Sequence, residues 1–226
     1  MHYDMSRGQE KVYIYDKTLI CMRITFSKIE LRDLSRAWLC ISIAFAIALS
    51  GGLFYVRPDF SFLQSILLAS VTVGVGFLLH ELGHKVVAQR YGCFAEFRAD
   101  TFMLFLAILV SFLGFVFAAP GAVMIAGRVS KERNGKISLA GPLVNIILAL
   151  IFMTLALVFP SEGFLGNVYS FGFFINTWLA IFNLIPLWIL DGKKVLEWNK
   201  WIYGITLGFA ILLMVLGNYL PLQSIM

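Results

Sequence analysis

Gly76-Phe77-Leu78-Leu79-His80-Glu81-Leu82-Gly83-His84 sets three ionisable side chains at the end of a long apolar run, and the rest of the chain is read outward from it. His80 and His84 stand one helical turn apart, so a helix through them presents both imidazoles on one face. Two imidazoles at that spacing can hold a single Zn²⁺, and the intervening Glu81 then points at the open coordination position, where a water would be activated. The chain has only three histidines, and two of them are here. A pair of histidines that merely caps the helix end is the alternative. Ionisable groups at membrane depth are functional by default, which favours the metal.

Composition says what surrounds this stretch. The 226 residues are 60% hydrophobic, 15% aromatic and 14% charged, with a mean hydropathy of +0.85. A soluble domain is excluded by these values, and the spacing of the apolar runs predicts an all-α multi-span membrane protein with about five to six membrane segments. The net charge of +5 comes from an uneven spread of Lys and Arg between loops. In such a chain that spread reports orientation in the lipid bilayer, with no nucleic acid as partner. Cys21, Cys40 and Cys93 are odd in number and widely spaced, fitting neither a disulfide framework nor a metal box.

Residues 1–36 form the only long polar stretch and lack the pattern of a cleaved signal peptide. Lys11 to Tyr15 and Leu19 to Phe26, rich in β-branched and aromatic residues around Asp16-Lys17, predict a small N-terminal β-hairpin. Ile29 to Leu34 predicts an amphipathic helix at the membrane surface. Residues 37–226 are then the transmembrane domain, with a core at 60–195. Ala37 to Val56 is the first expected span, and a second run from Phe62 continues unbroken through His80 to Arg90. Later spans are expected at Ile137 to Pro160, Tyr169 to Leu190 and Trp201 to Leu220.

Between them, residues 101–127 must go out and come back, because basic residues flank both ends: Arg98 before, and Arg128, Lys131, Arg133 and Lys136 after. Two helices need roughly 40 residues. One helix of about 18 residues followed by about nine extended residues would suffice, and the glycines and proline of Ala118 to Gly127 suit a re-entrant extended segment. A short broken helix remains the alternative.

Followed from a cytoplasmic N-terminus in a cell membrane, only Arg57 of the 18 Lys and Arg residues falls outside, as the positive-inside rule requires. This topology places His80 and His84 at the same depth as Asp191, near the cytoplasmic face. A catalytic zinc takes three protein ligands and a water. Among the remaining acids, Asp59 and Glu162 lie on the wrong side, and Glu96, Asp100, Glu132 and Glu197 sit in basic surroundings. Asp191 alone directly follows an apolar run. It is the expected third ligand; a helix-end aspartate at the interface is the bland alternative, and Cys93 a weaker rival.

His80-Glu81-Leu82-Gly83-His84 on one membrane helix, Ala140-Gly141-Pro142-Leu143-Val144-Asn145 on a second, and Asn183-Leu184-Ile185-Pro186 with Leu190-Asp191-Gly192 at a third resemble the site-2 protease family of intramembrane zinc metalloproteases. The resemblance covers about residues 60–195. It implies one Zn²⁺ per chain held by His80, His84 and Asp191, Glu81 as general base, and a transmembrane segment of another membrane protein as substrate. It further implies that Asn145 holds substrate or supports the oxyanion; plain interhelical hydrogen bonding is the alternative for Asn145. Where many family members have further prolines this chain has Trp188 and Ile189, so a more helical backbone is expected before Asp191. A non-hydrolytic zinc-binding scaffold or transporter is the competing class, and it would have no need of Glu81. Oligomeric state is not readable from the sequence.

Overall fold

The computed structural model describes residues 24–52, 59–116, 120–160, 162–187 and 189–219. Of the hairpin expected over residues 11–26, positions 11–23 lie outside the described residues, and residues 24–26 are not in a strand. Helix α1 (Lys28–Leu49) starts where the Ser27 hydroxyl accepts the Glu30 N–H at 3.0 Å. The expected surface helix and first span are therefore one uninterrupted helix, which crosses the 36/37 boundary. It stops at Leu49, short of the expected Val56, where Gly51 and Gly52 take φ of 88° and 77°. Only a glycine enters that region without strain.

Residues Phe60–Arg90 form one continuous helical rod of 31 residues: α2 (Phe60–Ala69), a π-turn at Ser70–Gly74, and α3 (Val75–Arg90). Asp59 caps it through the Phe62 N–H at 3.1 Å. The π-turn displaces carbonyls from the regular ladder, and the Trp38 indole of α1 donates to one of them, Ser70 O, at 3.0 Å.

Past α3 the chain runs through β1 (Phe94–Ala99), α4 (Thr101–Ser111) and β2 (Gly121–Ala126). The extended segment expected near 118–127 is thus present as β2. Its partner was not foreseen: β2 pairs antiparallel with β1, Phe97 opposite Val123. Helix α4 has 11 residues rather than about 18. Strand β1 is anchored from α1, where Glu30 accepts the Phe97 N–H at 3.0 Å and Asp33 the Ala99 N–H at 3.5 Å. Those long-range partners, rather than local propensity, make it a strand.

Helix α5 (Lys131–Val158) carries Pro142 in its interior, and α6 (Gly163–Asn183) packs along it. The span expected to continue to Leu190 ends at Asn183, and Asp191 opens the short helix α7 (Asp191–Trp198) instead of closing α6. The backbone before Asp191 is therefore less helical than expected. Pro186 cannot donate to a helical ladder and disfavours helix in Ile185 before it. Helix α8 (Lys200–Gly217) follows, capped by Asn199.

Among the described residues, four helices are long and apolar enough to cross a membrane: Phe60–Arg90, Lys131–Val158, Gly163–Asn183 and Lys200–Gly217. Helix α1 carries Arg32, Asp33 and Arg36 in its first turns, and α4 is short. Apolar side chains join the rods in clusters, one of α1, α2, the π-turn and α6 around Ile41, Val73 and Phe171, another of α5, α6 and α8 around Ile146, Phe173 and Leu213. The candidate site residues lie where α3, α5 and α7 converge with β2 alongside.

Candidate metal centre

Helix α3 turns His80, Glu81 and His84 inward against α5. Close approach is possible because Gly83 faces α5: a Cβ there would stand 3.1 Å from Ala140 O. Both imidazoles are fixed at Nδ1. His80 Nδ1 lies 2.6 Å from Asn145 Oδ1 and His84 Nδ1 lies 2.8 Å from Ile137 O. Both partners are acceptors, so each Nδ1 carries the proton and donates it, leaving each Nε2 as a bare lone pair.

The two Nε2 atoms are 3.0 Å apart. Asp191 Oδ2 lies 3.4 Å from that of His80 and 3.0 Å from that of His84. Three acceptor atoms so placed repel one another unless a cation sits among them. Ligands bonded at about 2.0–2.1 Å in tetrahedral geometry stand about 3.3 Å from each other, so the separations suit zinc. Room for the ion is kept by Gly141 of α5, where a Cβ would fall 2.5 Å from both Nε2 atoms. The donor set therefore fits a zinc ion.

Asp191 reaches this position because Gly192 lets the first turn of α7 press against the Leu184 carbonyl, a space a Cβ would overlap. Lys194 lies 3.9 Å from its other oxygen. Glu81 is buried beside the cluster, one carboxylate oxygen within 4.8 Å of the imidazole nitrogens. It accepts the Val123 N–H of β2 at 3.2 Å. Among the described residues, His80, Glu81 and His84 alone meet that limit mutually, yet Asp191 Oδ2 stands closer to the imidazoles, at 3.4 and 3.0 Å, while Glu81 is held at the strand edge.

The other sequence candidates are engaged elsewhere. Cys93 packs in an apolar cluster with Ala88, Ala95 and Ile137. The Glu96 carboxyl is held below its ordinary range by the Ser27 hydroxyl and then by Arg98. Glu132 pairs with Lys136, and Asp100 caps α4. Asn145 is wholly buried, with Oδ1 on His80 and its amide hydrogens directed to Gly76 O at 3.2 Å and Asn176 Oδ1 at 3.1 Å. Asn176 was missed by the reading of the sequence. Its only signal was polarity in an apolar helix, which in α6 it shares with Asn167, Ser170, Thr177 and Asn183.

The cluster opens into a cavity of about 610 Å³ bounded by β2, α5, the end of α6 and the 189–191 turn. Its walls are chiefly apolar, including Phe77, Met103, Val123, Ile125 and Phe182, with Arg98 and Lys194 also lining it.

A protein of Methanocaldococcus jannaschii named as a candidate zinc metalloprotease is 42% identical over 182 residues, 80% of this chain and 90% of its own length. The chain belongs to the site-2 protease family. A second M. jannaschii protein, named zinc metalloprotease, is 32% identical over 125 residues, 54% of this chain and 31% of that longer protein. A Bacillus subtilis protein, named as a candidate zinc metalloprotease, is 30% identical over 147 residues, 56% of this chain and 66% of its own. No family model matches the chain, and no solved structure matches it. Membership of the site-2 protease family supports metalloprotease chemistry, with zinc as the metal that the buried donors would hold.

Proposed function

We propose that this chain is an intramembrane zinc metalloendopeptidase that hydrolyses a peptide bond within or near a transmembrane segment of another membrane protein. The observation that carries the reading is the convergence of His80 Nε2, His84 Nε2 and Asp191 Oδ2 within 3.0–3.4 Å, beside Glu81, among helices apolar enough to cross a membrane. One zinc per chain would be held there, in a cell membrane, with the centre near the cytoplasmic face that the basic loops mark.

Zinc at these donors supplies Lewis acidity, lowering the pKa of water towards about 7 and polarising the scissile carbonyl. Glu81 takes one proton from the attacking water at its carboxylate and later delivers it to the departing amine nitrogen. Asn145 keeps His80 in the tautomer with a free Nε2, a positioning role that both its amide hydrogens, already committed, favour over direct contact with substrate. A scaffold that only stored zinc would gain nothing from a carboxylate placed as Glu81 is.

A peptide bond inside a helix is shielded by its own hydrogen bonds, so the substrate must unwind locally. Pairing in the β1–β2 sheet places Val123 opposite Phe97, and the Val123 N–H points away from β1 to Glu81. The edge of β2 beside Glu81 is where an unwound substrate segment would add as a strand, main chain to main chain.

The test is reconstitution in liposomes with a panel of single-span membrane proteins. Native protein should cut at least one of them inside or beside its span, and Glu81→Gln should keep its zinc and cut none. Cleavage undiminished by Glu81→Gln would overturn the catalytic assignment. Cleavage confined to soluble peptides would overturn the intramembrane one.

A further inference from the structure

The structure assigns Asn176 of α6 as the positioning residue that fixes the metal-binding tautomer of His80 from two side chains away. This rests on His80 being a zinc ligand. Asn176 is fully buried. Its Nδ2 donates to Gly172 O, one turn back in its own helix, at 2.9 Å. A backbone carbonyl only accepts, so the Asn176 amide cannot rotate end for end without facing two acceptors together. Its Oδ1 is thereby held towards Asn145, whose Nδ2 it receives at 3.1 Å.

The same logic applies at the next step. Asn145 Nδ2 also points at Gly76 O, 3.2 Å away. With its amino group claimed by two acceptors, Asn145 must present Oδ1 to His80, and it does so at 2.6 Å. That contact demands a proton on His80 Nδ1, which bares Nε2. The orientation thus runs from a carbonyl of α6, through two carboxamides, to an imidazole of α3. Packing reinforces it, since a Cβ at Gly76 would collide with Asn176 Oδ1; only a glycine on α3 lets Asn176 reach in.

Remove the Asn176 acceptor and Asn145 keeps a single claim on its amino group. Opposed then by Gly76 O alone, the flipped amide becomes accessible and offers N–H to His80, favouring the tautomer protonated on Nε2, which leaves no lone pair there for a metal. Losing an outer partner of this kind weakens metal binding by about 10- to 100-fold.

The experiment measures zinc release from the purified full-length protein in detergent to a colorimetric chelator, for native protein and for Asn176→Leu, Asn176→Asp, Thr177→Val and His80→Ala. Asn176→Leu keeps the branching and heavy-atom count of the side chain and lacks the acceptor; it should bind zinc about 10- to 100-fold more weakly than native. A protonated carboxyl in place of the carboxamide still offers one donor and one acceptor, so Asn176→Asp should retain zinc close to the native level. Thr177 is equally buried in the next position and its hydroxyl donates to Phe173 O, one turn back in its own helix, so Thr177→Val should leave zinc affinity unchanged. Should Asn176→Leu fail to fold, Asn176→Ser, too short to reach Asn145, is read in its place. Native affinity in Asn176→Leu, or equal loss in Thr177→Val, overturns the assignment while leaving the zinc site standing. Native affinity in His80→Ala overturns both.

Discussion

The Val123 N–H of β2 points at Glu81 Oε2, 3.2 Å away. A strand edge and the expected general base of the reaction are thereby joined by one hydrogen bond. It fixes the carboxylate while the strand's other edge is paired with β1. It also means that a substrate strand seated on this edge would meet Glu81 at once.

Val123→Pro removes that N–H without removing a bond between β1 and β2, because this donor faces away from β1. Hydrogen bonds to charged groups contribute about 1.5–3 kcal/mol, so cleavage of a membrane substrate should fall by roughly ten- to a hundredfold. Zinc content should not change. Initial rates in liposomes, set beside metal analysis of the same preparation, check both. Parallel loss of zinc would show that the strand supports the metal donors rather than the base.

Gly141→Ala should empty the metal centre. The added methyl would stand 2.5 Å from His80 Nε2 and His84 Nε2, in the space an ion needs, while the rest of α5 remains compatible with alanine. Zinc per chain, measured by elemental analysis after chelator washing, is expected to drop to near zero with the helical circular dichroism preserved. Retention of native zinc would mean that the imidazoles can turn outward to bind.

The convergence of His80, Glu81, His84 and Asp191 was legible in the sequence because each is a rare ionisable type in an apolar background, and desolvating such groups is tolerated only for a purpose. The extended character of β2 was legible too, since Gly121 at its start, Gly127 just past its end and the preceding Pro120 are poor helix formers. Strand β1 was not. Its Glu96 and Arg98 made it look like a basic loop, and the partners that order it, Glu30, Asp33 and Val123, come from elsewhere in the chain. The break after Asn183 was missed for a related reason: the run to Leu190 stays apolar, and Pro186 together with the seating of Gly192 on Leu184 outweighs that apolar continuity. Asn176 depended on packing of a third helix, and its polarity did not set it apart from its polar neighbours in α6.

Lys85 and Glu30 form a wholly buried ion pair between α3 and α1, and the Phe26 ring lies 3.9 Å from the ammonium. Glu30 also holds β1 through Phe97. Removing one charge strands the other away from water. Lys85→Met or Glu30→Gln alone should therefore destabilise by about 3–5 kcal/mol. The double variant Lys85→Met with Glu30→Gln should recover much of that loss. Denaturation of the four proteins in detergent, analysed as a double-mutant cycle, measures the coupling; additive losses would show that the pair is not coupled.

Asp191 offers the sharpest test of how the third donor is positioned, because its placement depends on the neighbour rather than on its own contacts. A Cβ on Gly192 would overlap the Leu184 carbonyl, so Gly192→Ala must push the first turn of α7 away from the end of α6. Asp191 Oδ2, now 3.0 Å from His84 Nε2 and 3.4 Å from His80 Nε2, would be carried out of reach although the carboxylate itself is untouched. Gly192→Ala should then behave as Asp191→Asn does, with zinc affinity reduced by at least about tenfold and little remaining cleavage. The two differ in one respect: excess zinc should restore activity to Asp191→Asn poorly at any concentration, whereas Gly192→Ala keeps a full donor set that high zinc can draw together. Titration of cleavage activity with zinc distinguishes them. Identical, unrescued curves would mean that the turn before α7 cannot move back once displaced.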